Sequence, residues 1–332
     1  MNDFTNKKIL VTGASGFVGS FLAERLADEG ALVYCLVRKT SSLSWLKDLP
    51  VKLVYGDLNS LENLAKTAPS LDYVFHTAAL KSAYGMKDFY DVNYIGTRNL
   101  LDFFAKKSKL KRFVYISSLA VMGPNPKTIP LKETDACSPL TKYGKSKLRG
   151  EDAVREYSNK IRCTIIRPPV VYGPRDKDLL ALFKAVKMRI KPVLAGKKRF
   201  ISVCFGDDLV SGALAAALSA KTINGTYFIG NEKGYSWEEL GACIEKALGV
   251  RAFKVRVPES MLKTLSFLSE YSAKLVNIKC PALNTEKALE MLPYRWICDV
   301  SKIRKDAGFK PKYALQSGID KTVAWYKTHG WL

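Results

Sequence analysis

Tyr143 and Lys147 stand four residues apart in Tyr143-Gly144-Lys145-Ser146-Lys147, so on a helix they share a face. A free phenol titrates near 10 and is a poor base at neutral pH. An ammonium beside it favours the phenolate and lowers that value. Such a tyrosine is a usable acid/base for a carbonyl–alcohol pair, and the same lysine can reach the ribose hydroxyls of a bound dinucleotide. Ser118 closes Phe113-Val114-Tyr115-Ile116-Ser117-Ser118 and can add a hydrogen bond to the substrate oxygen, where charge develops. Alone, a Tyr-x-x-x-Lys spacing describes a solvated helix face. Its weight here comes from order along the chain: a glycine-rich loop, the serine strand roughly a hundred residues on, then the Tyr–Lys helix.

The loop follows Lys8-Ile9-Leu10-Val11-Thr12, whose apolar residues read as a strand buried on both faces. Gly13, Gly16 and Gly19 are spaced Gly-x-x-Gly-x-x-Gly, not the commoner Gly-x-Gly-x-x-Gly. Gly13 allows the tight turn, Gly16 lets the backbone approach a pyrophosphate, and Gly19 permits close helix–strand packing. A helix over Phe17 to Leu26 then aims its N–H groups and positive dipole end at phosphates. An ordinary strand-to-helix glycine turn is the bland alternative.

The second strand, Ala31 to Val37, ends in Arg38-Lys39-Thr40-Ser41-Ser42. An acid at that end would accept a ribose 2′-hydroxyl and repel a 2′-phosphate, whereas Arg38 can pair with the phosphate bidentately. The reading favours NADP(H), with NAD(H) as the alternative. A solvated strand-end charge is the plain reading of Arg38.

Strand and helix signals alternate through the first half. Strands are expected at 8–12, 31–37, 51–55, 72–76, 112–117 and 162–167, with helices between them such as Tyr90–Lys107 and Lys142–Ser158. Alternation of this kind means right-handed crossovers and a Rossmann-type, doubly wound parallel α/β sheet. The order breaks after Arg167-Pro168-Pro169. Helices near 178–190, 207–220, 236–248, 259–276, 284–292 and 316–327 follow in a more irregular chain. Residues 1–168, with roughly 204–230, are expected to bind the dinucleotide. Roughly 169–203 and 231–332 are expected to form a smaller C-terminal substrate lid.

Composition agrees with a globular protein: 332 residues, 47% hydrophobic and 25% charged. No run is long and apolar enough to span a bilayer. The N-terminus, Met1 to Asn6, has no apolar signal core. Cys35, Cys137, Cys163, Cys204, Cys243, Cys280 and Cys298 are scattered with no Cys-x-x-Cys pair, which suits reduced thiols in a cytoplasm and no metal site. His76 and His329 are the only histidines, which also argues against a histidine-based metal site.

The net charge of +22 is unusual, and its densest patch is Lys184, Lys187, Arg189, Lys191, Lys197, Lys198 and Arg199. A solvated surface, attraction to an anionic membrane surface and binding of an anionic substrate all fit it. No recognition motif supports nucleic-acid binding. The protein is expected to be cytoplasmic, with peripheral attachment to membranes as the sharper idea.

The ordered set resembles an extended short-chain dehydrogenase/reductase, the family that holds sugar-nucleotide epimerases, 3β-hydroxysteroid dehydrogenases and dihydroflavonol reductases. The resemblance runs from the glycine loop to Gly308-Phe309-Lys310-Pro311 and the closing Gly318 to Tyr326. It implies Ser118, Tyr143 and Lys147 as the catalytic set, Ser118 matching because it lies five residues before Gly123. Asn93 is the asparagine that supports the active-site end of the sheet. It implies cofactor contacts from Gly13, Ser15, Gly16, Phe17, Val18 and Gly19. Asp57 should meet the adenine amino group with Leu58 beside it, and Ala78 and Ala79 should line the cofactor path. Ser117 should pack by or contact the cofactor, and Pro168 and Val170 should flank the nicotinamide. Lys81 resembles a cofactor-phosphate lysine of the epimerases, with a surface lysine equally open. Asp57 as a turn residue and Asn93 as an ordinary buried amide are the bland readings. Dimerisation through the helices near 90–107 and 142–158 is a further family expectation.

The reaction is narrowed by what is missing. Leu119-Ala120 stands where a dehydratase carries an Asp-Glu pair, and Arg167-Pro168-Pro169-Val170-Val171-Tyr172-Gly173-Pro174 lacks the asparagine usual in nucleotide-sugar epimerases. Val121-Met122-Gly123 replaces the usual Val-Tyr-Gly, so an apolar side chain stands where a polar substrate contact would be. The expectation is an NADP(H)-dependent oxidoreductase acting on a ketone or secondary alcohol of a rather apolar, steroid-, flavonoid- or lipid-like small molecule. A nucleotide-sugar epimerase with tightly held NAD is the first alternative, and a non-catalytic dinucleotide sensor or assembly subunit the second. Met261 to Tyr271 has amphipathic helical spacing, read either as a core-packing helix or as a membrane-surface helix flanked by lysines.

Overall fold

Ile9 and Val11 face one side of the first strand and Leu10 the other, and all three are fully buried. A strand apolar on both faces needs a helical layer on each side. The computed structural model, which describes residues 3–67, 70–106, 110–125, 128–276, 281 and 283–332, has that arrangement. Strand β1 (Lys8–Thr12) lies between β2 (Leu32–Val37) and β4 (Tyr73–His76), with β3 (Lys52–Tyr55) beyond β2. With β5 (Arg112–Ile116), β6 (Cys163–Arg167) and β11 (Gly225–Phe228) they form one parallel seven-stranded sheet, ordered β11-β6-β5-β4-β1-β2-β3.

Helices α1 (Phe17–Asp28) and α7 (Gly206–Leu218) cover one face through Leu22, Leu26, Leu209 and Leu214. Helices α4 (Gly96–Ala105) and α5 (Lys142–Glu156) cover the other through Leu100, Leu101, Phe104, Ala153 and Val154. A short α2 (Glu62–Thr67) precedes β4, and α3 (Met86–Tyr90) enters α4 through a π-helical segment, Asp91–Ile95. The strand order reverses between β4 and β1, which opens a crevice at the carboxyl ends of those strands.

The rest of the chain builds short pieces around a separate apolar cluster that includes Tyr172, Phe183, Ile201, Leu240, Ile319 and Tyr326. Strand β7 (Val170–Tyr172) pairs with β10 (Val203–Phe205), and β8 (Ile190–Leu194) pairs with β13 (Phe253–Val257). Strand β9 (Phe200–Ile201) lies between β12 (Tyr235–Ser236) and β14 (Arg295–Trp296). The helices are α6 (Leu180–Lys187), α8 (Trp237–Leu248), α9 (Glu259–Leu275), α10 (Thr285–Met291), α11 (Ser301–Ala307) and α12 (Leu315–Thr328).

The six expected strands appear within one residue at either end. Strands β7 to β14 and helices α2 and α11 were not expected, because elements of two to seven residues are too short for periodicity to separate. The helix expected over Tyr90–Lys107 starts earlier, at Met86, and carries the π-helical segment; Lys107 lies outside the described residues. Of the cysteines, Cys280 lies outside the described residues, and the other six are free thiols. Among the described residues no helix is long and apolar enough to cross a membrane.

Candidate active site

Parallel register brings the expected cofactor residues to one edge of the sheet. Thr12 lies opposite His76 and Leu36, and His76 opposite Tyr115. The chain leaving each strand therefore places Gly13, Arg38, Ala78 and Ser118 along the same rim. Gly13 has φ +68°, and a Cβ there would stand 2.7 Å from the Ala78 amide nitrogen. A Cβ on Gly19 would stand 2.2 Å from the Gly13 carbonyl oxygen. These two positions admit only glycine, and their contacts hold the loop in its turn.

Gly16 is exposed and serves as N-cap of α1 without a side-chain cap, and no acid stands in the helix's first turn. Ser15, Phe17 and Val18 are half-buried beside it. This helix end offers backbone donors and a positive dipole to an anion, so the loop fits a dinucleotide pyrophosphate. Arg38 is exposed just past β2, where its N–H donates to Ser41 Oγ (3.1 Å), and its guanidinium forms no ion pair among the described residues. Asp57 is exposed after β3, and its Oδ1 accepts from the Asn59 N–H (2.7 Å) as in an Asx turn. Leu58 is buried against the position of Gly96.

Helix α5 is started by Thr141, whose Oγ1 accepts from the Gly144 N–H (3.1 Å). The helix then presents Tyr143, Lys147 and Glu151 at successive four-residue steps. Lys147 is buried, its Nζ donating to the Ile116 carbonyl (2.8 Å) and lying 4.0 Å from the centre of the Tyr115 ring. Burial pushes this amine down to about 7, against the pull of Glu151. Ser118 stands near the Tyr143 phenol and pulls its titration down. Its Oγ accepts from the Ala120 N–H (3.1 Å), which leaves the serine proton free to donate.

The protonation state departs from the sequence expectation. Tyr143 is held well above the usual phenol range, first by burial and then by the carboxylates of Glu290 and Asp178, with Ser118 opposing. In this structure the lysine loses affinity for its proton and the tyrosine gains it. Desolvation penalises both charged forms and outweighs the attraction expected between them.

Asn93 sits fully buried in the π-helical segment. Its Oδ1 accepts from the Leu80 N–H (2.7 Å), and its Nδ2 donates to the Leu80 carbonyl (2.9 Å) and to Ser146 Oγ (2.8 Å). It thereby ties the segment after β4 to α5. Ala78 and Ala79 are half-buried on that segment, and the Ala78 N–H donates to Thr12 Oγ1 (3.3 Å). Lys81 forms an ion pair with Asp178 (2.6 Å) with both side chains more than half exposed. Pro168 is buried, its carbonyl accepting from the Leu119 N–H (2.8 Å), and Val170 is half-buried. The Ser117 hydroxyl donates to Glu151 Oε1 (2.6 Å).

Sequence reading missed that buried network. Arg167 donates to Glu151 through Nε (2.8 Å) and Nη2 (2.6 Å), and Arg155 adds a bond to Oε2 (2.6 Å). The available signal was Glu151, one further four-residue step along the Tyr143–Lys147 face. His76 has a structural part that its sequence context does not signal. It bridges Thr12 Oγ1 (2.6 Å) and Thr97 Oγ1 (2.9 Å), and burial, with the charge of Lys147 adding, pushes it down to about 3, so it stays neutral. The charges of Asp178 and Glu290 act on the tyrosine from distant parts of the chain, and no local signal marks them. Among the described residues no cluster of side chains could hold a metal ion.

Known proteins bear on this arrangement. Residues 9–230 match the model of the NAD dependent epimerase/dehydratase family. A ceramide reductase of Caulobacter vibrioides is 29% identical over 327 residues, which are 98% of this chain and 96% of that protein. A decarboxylating sterol-4-alpha-carboxylate 3-dehydrogenase of Candida albicans is 26% identical, over 96% and 97% of the two chains. The structure of a UDP-glucose 4-epimerase from Thermotoga maritima superposes with a TM-score of 0.79 at 22% identity, covering 97% of this chain and 99% of that one; at that identity the likeness is one of fold. The protein thus belongs to the NAD dependent epimerase/dehydratase family, as an NAD(P)-dependent oxidoreductase of the extended short-chain dehydrogenase/reductase type.

Proposed function

We propose that this protein interconverts a ketone and a secondary alcohol on a rather apolar, lipid-like small molecule, with NADP(H) as its dinucleotide. The observation that carries the reading is the placement of three groups: Tyr143 and Lys147 share one face of α5, and Ser118 stands just past the end of β5 on the rim that Gly13 and Ala78 share. The dinucleotide supplies or accepts the hydride when bound. In the reductive direction Tyr143 gives its phenolic proton to the substrate oxygen. Ser118, whose hydroxyl proton is not used by the Ala120 N–H that its Oγ accepts, donates a second hydrogen bond to that oxygen. Lys147, with its amine near 7, exchanges protons at neutral pH and stabilises the phenolate left behind. Asn93 holds α5 against the Leu80 segment and so keeps Tyr143 in place.

The glycine loop, Ala78 and Lys147 would hold the dinucleotide's pyrophosphate and ribose, and Arg38 its 2′-phosphate. The expected division of the chain is part of the proposal: 1–168 with roughly 204–230 for the cofactor, and roughly 169–203 with 231–332 for substrate. Support for an apolar substrate comes from relatives named for a ceramide and a sterol carboxylate; Met122, read from the sequence as an apolar substrate contact, instead packs in the interior against Arg167 and Cys137.

The test is calorimetric titration of cofactor-stripped protein with NADPH and NADH, followed by absorbance assays of NADPH oxidation with apolar ketones. Preference for NADPH with turnover of such a ketone is expected. NAD that cannot be stripped, with no net absorbance change, would replace this reading by the nucleotide-sugar epimerase.

A further inference from the structure

Helix α9 is amphipathic, but its apolar side is turned outward. Its contact stripe is narrow and consists of buried Leu262, Ser266 and Ala273. Met261, Leu265, Leu268 and Leu275 recur at helical spacing away from that stripe, and Phe267 and Tyr271 stack beside them with ring centres 6.2 Å apart. Leu275 is 68% and Phe267 59% exposed. Strand β13, which leads into α9 through Pro258, adds Phe253 at 78% exposure and the exposed Val255. Exposed apolar side chains in such a run mark an interaction surface.

The charge around this face has one dominant sign. Lys263 on α9 and Arg256 on β13 are exposed and form no ion pair among the described residues. The same holds for Lys184, Lys187 and Arg189 at the end of α6, next to exposed Met188. Among the acids nearby, Glu238 pairs with Lys254, Glu259 with Arg199 and Glu270 with Lys274. The face also borders the candidate active site. Glu270 of α9 accepts from Thr285 at the start of α10, Glu286 of α10 accepts from the Lys142 N–H (2.5 Å) at the start of α5, and Lys274 lies 4.8 Å from the centre of the Tyr84 ring.

We infer that α9, with β13, is a docking surface for an anionic phospholipid bilayer, its apolar side chains entering the headgroup layer and its lysines and arginines meeting lipid phosphates. An apolar helix face rimmed by basic residues has the composition for this binding. The surface stands independently of the redox reading, since its binding is measured without turnover.

The experiment is flotation of the full-length protein with vesicles of phosphatidylcholine alone, and with vesicles in which about a third of the lipid is phosphatidylglycerol. Binding to the anionic vesicles that weakens with added salt is expected. Lys263→Glu with Arg256→Glu should lower the apparent affinity at least about tenfold. Leu265→Gln with Leu268→Gln and Tyr271→Gln should lower it by a similar factor. Both variants alter exposed residues and should keep the circular dichroism spectrum and dinucleotide affinity of the parent. Equal binding to both vesicle types, or no binding, overturns the inference. So does a wild-type dimer in light scattering that the glutamine variant dissociates, because the face would then serve a second copy of the chain.

Discussion

Glu151 and Arg167 offer a quantitative test of how the catalytic helix is held. Both side chains are out of solvent, at 0% and 2% exposure. Glu151→Gln removes the countercharge of the buried Arg167 guanidinium and one of its two carboxylate acceptors, leaving it the amide oxygen and two soft partners, Met122 Sδ (2.8 Å) and Cys137 Sγ (3.3 Å). Removing one partner of a buried pair costs about 3–5 kcal/mol. Arg167→Met leaves Glu151 with Ser117 and with Arg155, whose side chain is 44% exposed and reaches water. Its cost should be smaller, about 2–3 kcal/mol. The double variant removes both buried charges together and should be no less stable than Glu151→Gln. Equilibrium urea unfolding at pH 7 orders the three variants. The reasoning fails if Glu151→Gln is as stable as Arg167→Met, because the asymmetry rests on Arg155 rescuing only the carboxylate. Glu151 also supports the charge on Lys147, so the activity limb set by Lys147 should move below about pH 7 in Glu151→Gln.

Tyr143→Phe should abolish ketone reduction and leave dinucleotide affinity nearly unchanged in calorimetry, whereas retained turnover would remove the phenol from the mechanism. Arg38→Ala should weaken NADPH about 10- to 100-fold, the worth of one or two charge-assisted hydrogen bonds, and leave NADH unaffected in the same titration. Lys147→Met should show a pH-dependent gain in stability. With its amine near 7 when folded and near 10.5 when unfolded, the unfolded chain binds more protons between those values, so the lysine's destabilisation is full below pH 7 and fades as pH rises toward 10.5. Melting temperatures of the two proteins should therefore converge on going from pH 6 to pH 10, and a gap independent of pH would contradict this burial argument. Gly19→Ala places a Cβ 2.2 Å from the Gly13 carbonyl oxygen and should cost about 1–3 kcal/mol and most of the dinucleotide affinity, read by urea unfolding and calorimetry.

Local patterns carried the sheet and the candidate site's skeleton. Ile9, Leu10 and Val11 required helices on both faces, the three glycines marked a turn into a helix, and the Tyr143–Lys147 spacing placed two functional groups on one face. Those signals depend on residues within a few positions of each other, so periodicity and spacing express them. The protonation of Tyr143 and Lys147 depends on how much water every surrounding element excludes, and it ran opposite to the sequence expectation. Ser117 meets Glu151, and the charge of Glu290 acts on Tyr143, only because the chain returns to the same region after long separations. The direction of α9 was equally unreadable. An amphipathic helix has the same period whether its apolar side faces a core or the outside, and only the tertiary structure shows Leu265, Phe267 and Leu268 on the exposed side.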